Sequence, residues 1–255
     1  VVFTVRDRGN VLMKPAQRLL VPMTQTAITS TRTQLDVVAR HLDDVRRTCN
    51  PGGGGDASVN GQPLGKLPWD AFVAGVIATG RQATTGQQSG YKLTTKSITV
   101  GTDVSCGGNY VIGAAIGFFR GETRPDDGSG DQDANGASAS LWGSFVPFTD
   151  AYVDVVANYG HGNYDSMRHT TLADLSASTH GDQAALAARA GYSFKSGRTQ
   201  FDPYFSVEHI ETKVDGFGES GGADAIAVSN VKVKSTVQTF GGRLRHTFDT
   251  SWGEI

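Results

Sequence analysis

Between Ser97 and Arg120 the chain reads SITVGTDVSCGGNYVIGAAIGFFR, and its alternation admits few folds. Ile98, Val100, Thr102 and Val104 alternate with Ser97, Thr99, Gly101, Asp103 and Ser105; Cys106-Gly107-Gly108-Asn109 turns the chain. Tyr110, Ile112, Ala114, Ile116 and Phe118 then alternate with Val111, Gly113, Ala115, Gly117 and Phe119. Successive side chains of a strand point to opposite faces, so this is a hairpin with one apolar face and one face of small or polar groups. Such a second face fills a soluble core poorly. It suits a strongly curved wall with a crowded or wet interior.

The unit repeats from Trp69 onward. Alternation and turn residues predict about eight strands, at 69–83, 91–105, 110–121, 135–147, 151–164, 182–194, 199–213 and 231–248, with a ninth opening at Trp252. Tight turns are expected at 106–109, 149–150, 195–198 and 249–251, and long polar connections at 82–90, 122–134, 165–181 and 214–230. Short turns at one end and long loops at the other are the arrangement of a transmembrane antiparallel up-and-down β-barrel. Such strands are only half apolar, so the lack of any run near the ~20 apolar residues of a membrane helix does not argue against it.

The two faces agree with this reading. Ala151, Val153, Val155, Ala157 and Tyr159 would face lipid, while Tyr152, Asp154, Asn158 and Gly160 face inward; the strands at 182–194 and 199–213 divide the same way. Asp103, Asp154, Arg189, Asp202, Glu208, Arg243 and Arg245 all fall on the inner face, costly in a dry core but ordinary in a polar lumen. Trp69, Tyr110, Phe145, Phe148, Phe194, Phe201, Phe248 and Trp252 cluster beside the short turns, with Phe118 and Tyr159 near the other rim. Two aromatic bands match the interfacial girdles of a membrane barrel. A soluble sandwich with aromatic corners is the competing architecture, and it accounts for neither the girdles nor the alternating connections.

From Met23 to Cys49 the period becomes helical. Ile28, Leu35, Val38, Leu42 and Val45 form a narrow apolar stripe among Arg32, Asp36, Arg40, Asp43, Asp44, Arg46 and Arg47. Pro22 is expected to precede the helix, and Asn50-Pro51-Gly52 to end it. By itself this reads as an amphipathic helix docked on a domain; ahead of a barrel, a mostly polar helix also suits a polar pore. The domains expected are a tail of a preceding module over 1–14, the helix over 15–50, a Gly-rich linker over 51–67 and the barrel over 68–255.

Chemistry-bearing constellations are weak. His41, His161, His169, His180, His209 and His246 have no metal-ligand spacing. Gly191-Tyr192-Ser193-Phe194 is followed by Lys195 rather than the closing Gly of a nucleophile elbow. Asp126, Asp127, Asp131 and Asp133 share one loop that could hold Ca²⁺, although a solvated acidic loop explains them as well. No catalytic residue, cofactor or metal is predicted, and a net charge of −2 gives no reason to expect nucleic-acid binding.

Ser97–Phe119, Leu141-Trp142-Gly143-Ser144-Phe145, Tyr152–Tyr159, Ala190-Gly191-Tyr192, Phe201-Asp202-Pro203-Tyr204 and Val214–Gly221, following Gln34-Leu35-Asp36 and Trp69–Val73, resemble the translocator domain of classical autotransporters (type V secretion). The resemblance covers about residues 25 to 255. It implies a twelve-stranded outer-membrane barrel threaded by an α-helix that joins it to an N-terminal passenger, exported and anchored at the cell surface. Implied partners are outer-membrane lipid, the chain's own passenger, the barrel-assembly machinery and periplasmic chaperones. A stand-alone outer-membrane pore or surface-binding barrel is the alternative. Because Thr250–Ile255 resembles the opening of the ninth strand, the sequence reads as part of a larger protein. Some family members cut their own linker at a helix Asn; the stretch 23–48 has none, so that activity is not carried over. The family's topology puts the helix end and the short turns at the periplasmic mouth, which implies a candidate Cys49–Cys106 disulfide; two independent thiols would be the other outcome. It also points to Arg32, Asp36, Arg40, Asp43 and Arg47 as helix residues meeting Asp154, Arg189, Asp202, Glu208 and Arg243 across the lumen.

Overall fold

A computed structural model describes residues 13–48, 58–59, 62–63, 69–84, 89–106, 109–148, 150–246, 249–250 and 253–254. One helix, α1 (Met13–Thr48), precedes eight long strands: β1 (Trp69–Gln82), β2 (Tyr91–Cys106), β3 (Tyr110–Pro125), β4 (Gly130–Phe148), β5 (Ala151–His169), β6 (Asp174–Tyr192), β7 (Thr199–Val214) and β8 (Val231–His246). Each pairs antiparallel with the next, so the sheet is a meander whose described edges are β1 and β8. The short Phe194–Ser196 continues β6 and pairs with the start of β7 through a hairpin whose Gly197 has φ 58°. The sheet curls around α1, which lies against β1 through β7.

The predicted faces are the observed ones. Along β5, burial alternates at every residue from Tyr152 to Ser166, with Asp154, Val156 and Asn158 inward and Val153, Val155 and Tyr159 outward. On the inner face, large rings lie opposite glycines on the neighbouring strand: Phe72 with Gly101, Trp142 with Gly113, Phe119 with Gly136, Tyr152 with Gly191, and Tyr204 with Gly241. A Cβ at Gly191 or Gly241 would stand 2.5 Å from the facing tyrosine ring. The glycines therefore let each ring lie across a neighbouring strand, where any larger residue would collide with it.

Three expectations need correction. The connections foreseen at 122–134 and 165–181 contract to 126–129 and 170–173, because β4, β5 and β6 each run 19 residues. About 9–11 residues cross a membrane, so these strands continue as a polar palisade beyond it. Their outer halves carry polar residues on the outward face, so the apolar alternation fades while the backbone ladder persists. Asp131 and Asp133 consequently stand on the exposed face of β4, and the turn retains only Asp126 and Asp127, with Gly128 at φ 67°. Finally, α1 begins at Met13 and carries Pro22 inside it. Proline removes the donor for the carbonyl of Arg18, yet Leu19, Leu20 and Met23 are buried on both sides of it and tertiary packing overrides local propensity.

Within the expected linker, Ser58–Val59 pairs with Gln62–Pro63. Asp249–Thr250 pairs with Gly253–Glu254 in a small hairpin. The expectations for residues 1–12, for a strand opening at Trp252, and for a Cys49–Cys106 disulfide lie outside the described residues. No helix among the described residues is long and apolar enough to cross a membrane, which says nothing of the strands.

Candidate functional site: the occupied lumen

The helix fills the space that the curled sheet encloses. Its stripe of Ile28, Leu35, Val38, Leu42 and Val45 packs against Val111, Ala115, Trp142, Val156, Ala185, Ile210 and Val233 of the wall. Nearer the 126–129 and 170–173 turns, Leu19, Leu20, Met23 and Ala27 meet Phe119, Ala134, Tyr164, Ala177 and Val214, and Phe217 closes this cluster from the connection after β7. Burying an aliphatic side chain is worth about 1.5–3 kcal/mol, against about 1 kcal/mol net for a typical hydrogen bond. The apolar contacts thus supply most of the adhesion and seat the helix, and the polar ones lock that seating.

Those polar contacts are concentrated toward the helix C-terminus. Asp43 accepts from Arg189 Nη2 at 2.6 Å and from Arg243 Nη2 at 2.7 Å, and pairs with Arg46 one turn along the helix. Arg46 Nη1 donates to Asp154 at 2.5 Å, and Asp154 also receives Arg189 Nη2 at 3.0 Å and Ser144 Oγ at 2.7 Å. Arg189 further donates to the carbonyl of Ala39 at 3.2 Å. The guanidinium of Arg46 lies 3.8 Å above the Tyr152 ring, a desolvated cation–π contact. Two buried carboxylates and three guanidiniums therefore form one network joining α1 to β5, β6 and β8.

Higher in the lumen, His41 Nε2 bonds the buried Asp103 of β2 and stacks on Phe72 at 4.0 Å between ring centroids. Thr99 Oγ1 donates to Gln34 Oε1 at 2.8 Å, and Arg32 Nε meets Glu208 Oε1 of β7 at 2.8 Å. The helix is held at successive levels from opposite sides.

Of the expected lumen residues, Arg32, Asp43, Asp154, Arg189, Glu208 and Arg243 are brought into contact across the helix–wall boundary or within its network. Asp202 instead accepts from its strand neighbour Gln200 at 2.8 Å. Asp36 and Arg40 are exposed, and Arg40 Nε reaches only the carbonyl of Asp36 at 3.2 Å. The Arg47 side chain lies outside the described residues. Arg46, His41 and Gln34 are helix anchors missing from that set; Arg46 was legible as the i+3 neighbour of Asp43 on one helix face. Outside, Trp69, Tyr110, Phe118, Phe145, Tyr159, Phe194 and Phe201 are all exposed on the outer face, and Tyr110 stacks on Phe145 at 4.7 Å. The Phe248 side chain lies outside the described residues.

Among the described residues, no three His, Cys, Asp or Glu side chains are grouped to hold a metal ion.

A family model described as "Autotransporter beta-domain" matches residues 71–255. The uncharacterized protein YaiT of Escherichia coli (strain K12) is 32% identical over 127 residues, 47% of this chain and 13% of that protein. An uncharacterized protein in the trpE-trpG intergenic region of Pseudomonas putida is 25% identical over 174 residues, 62% of this chain and 28% of that protein. The chain thus spans less than a third of these curated relatives. Among solved structures, the translocator domain of the autotransporter NalP from Neisseria meningitidis superposes with TM-score 0.65 at 19% identity, covering 88% of this chain and 73% of that one. The β domain of the Bordetella autotransporter BrkA gives TM-score 0.59 at 18% identity, covering 73% and 74%. These likenesses establish a shared fold.

Proposed function

The chain belongs to the autotransporter β-domain family, and from that premise we propose that it carries a passenger joined before α1 to the cell surface and is then sealed by the helix itself. As a translocator domain of the outer membrane, its work is physical rather than catalytic. The observation that carries the proposal is the path of α1. Its N-terminal half packs among the outer ends of β3–β7, and its C-terminal end is tied to Ser144 and Asp154 beside the short turns. The start of α1 therefore lies toward the mouth carrying the longer strand ends, and Trp69 opens the wall at the opposite mouth.

Two features support anchoring after passage. The helix stripe fills the apolar part of the lumen, and the Asp43–Arg189–Asp154–Arg46 network resists withdrawal because each carboxylate would lose several charge-assisted bonds at once. A filled lumen also disfavours a stand-alone open pore. Among the described residues β1 and β8 are the edges of the sheet, and hydrocarbon penalises an unpaired backbone group by several kcal/mol. Assembly machinery and periplasmic chaperones complete the proposed set of partners.

The test is an epitope inserted ahead of α1 in the full-length protein. Protease added to intact cells is expected to remove the epitope while the membrane-embedded remainder migrates faster on an unheated gel than on a heated one. A heat-modifiable barrel whose epitope is cut only after the outer membrane is broken would refute export.

A further inference from the structure

We propose that the outer face of β1–β3 binds the phosphate groups of a phosphorylated outer-leaflet lipid through Lys92, Lys96 and Arg120. On this face Val73 and Ile77 of β1, Ile98 and Val100 of β2, and Ile116 and Phe118 of β3 form the exposed apolar band. Toward the 126–129 turn the outward-facing positions then run Thr79 and Arg81 on β1, Lys96, Thr94 and Lys92 on β2, and Arg120, Glu122 and Arg124 on β3. Each outward step along a strand is about 7 Å. Lys96 and Arg120 therefore stand one step above the band, at headgroup depth beside its upper edge, and Lys92 stands two steps further out.

The register makes the cluster costly by itself. Lys96 is the cross-strand partner of Arg120, Lys92 of Arg124, and Arg81 of Lys92. Directly opposed like charges destabilise a sheet. Two of the five find carboxylates at the rim: Arg81 with Asp126 at 3.4 Å and Arg124 with Glu122 at 3.8 Å. Lys92, Lys96 and Arg120 have no ion-pair partner among the described residues.

The same level of β7 and β8 is built differently. There Lys232 and Lys234 share Glu211, and Lys213 meets Asp215 at 2.9 Å. One part of the wall neutralises its lysines internally, while the other leaves the opposed pair Lys96 and Arg120, and Lys92 two outward steps beyond them, facing the bilayer surface. Phosphate oxygens supply the missing countercharge, accepting point-charge bonds from the lysines and a forked pair from Arg120.

The inference rests on the outward orientation proposed above. Its test uses full-length protein in dodecyl maltoside, mixed with diphosphoryl lipid A and followed by native mass spectrometry, with a heat-modifiability gel on each sample. Retained lipid is expected to fall about five-fold for each of Lys92→Gln, Lys96→Gln and Arg120→Gln, and about a hundred-fold for the triple variant. The Lys232→Gln, Lys234→Gln variant should retain lipid as wild type does. If the triple variant loses its folded band, Lys96→Gln carries the comparison. Unchanged retention by the folded variants, equal retention of a dephosphorylated analogue, or complete displacement by millimolar inorganic phosphate would each overturn the lipid site. Absence of a heat-modifiable band in the wild type would count instead against the barrel reading.

Discussion

Asp43 of the helix accepts a 2.6 Å hydrogen bond from Arg189, a residue 146 positions further along the chain on β6. The pair joins the only described helix to the wall, and both side chains are nearly enclosed, at 9% and 14% exposure. In so dry a setting, removing one partner strands the other, which is a larger effect than an exposed ion pair could have.

Arg189→Ala is therefore expected to destabilise the folded barrel by about 3 kcal/mol, because Asp43 and Asp154 both lose a donor. Arg189→Glu should go further and loosen the helix, raising single-channel conductance in planar bilayers. Conductance at the wild-type level in a correctly folded Arg189→Glu protein would show that the helix is not held by this network.

Gly117 faces Gln34 across the lumen, and a Cβ there would stand 2.8 Å from Gln34 Cδ. Gly117→Val should push Gln34 away and break its bond to Thr99, at a cost of about 1–3 kcal/mol in strain. The strand itself tolerates valine, so the heat-modifiable band should persist while conductance rises. Loss of the band without any conductive species would mean that the glycine serves wall assembly instead.

Glu219 lies in the connection between β7 and β8, outside the membrane-spanning segments. Burial pushes its carboxyl up, but the fork from Arg168 (Nε to Oε1 at 2.8 Å) and the Ile226 N–H outweigh it and hold the group below the ordinary glutamate range. A depressed folded value means the stabilisation is present above the unfolded value and lost as pH falls through the folded one, below pH about 4. Pepsin cleavage within 215–230 should accelerate on acidification in the wild type relative to Glu219→Gln, whose connection is loosened at every pH. Parallel pH profiles for the two would remove this carboxylate as the latch.

The hairpin at 97–120 shows how much of the wall was legible. Its alternation placed Ile98, Val100, Ile112 and Ile116 outside and Thr99, Asp103 and Ala115 inside, as found. Period-2 patterning survives because each side of the sheet meets one solvent, lipid or lumen, along its whole length. The extension of β4–β6 was not legible, since above the lipid both faces become polar and only backbone pairing continues. Pro22 misplaced the start of α1 for a related reason: a local helix breaker was read without the wall that packs around it.

The sequence alone determined strand order, facing and the presence of a polar helix ahead of the wall, because those follow from periodicities of two and 3.6 residues. Which charges meet was decided only by tertiary structure. Asp36, Asp43 and Asp44 are equivalent in composition, yet Asp43 is buried against Arg189 and Arg243 while Asp36 and Asp44 are exposed. That choice depends on how the apolar stripe from Ile28 to Val45 seats in the curved wall and so fixes the helix's rotation, a long-range packing result that no local window of residues contains.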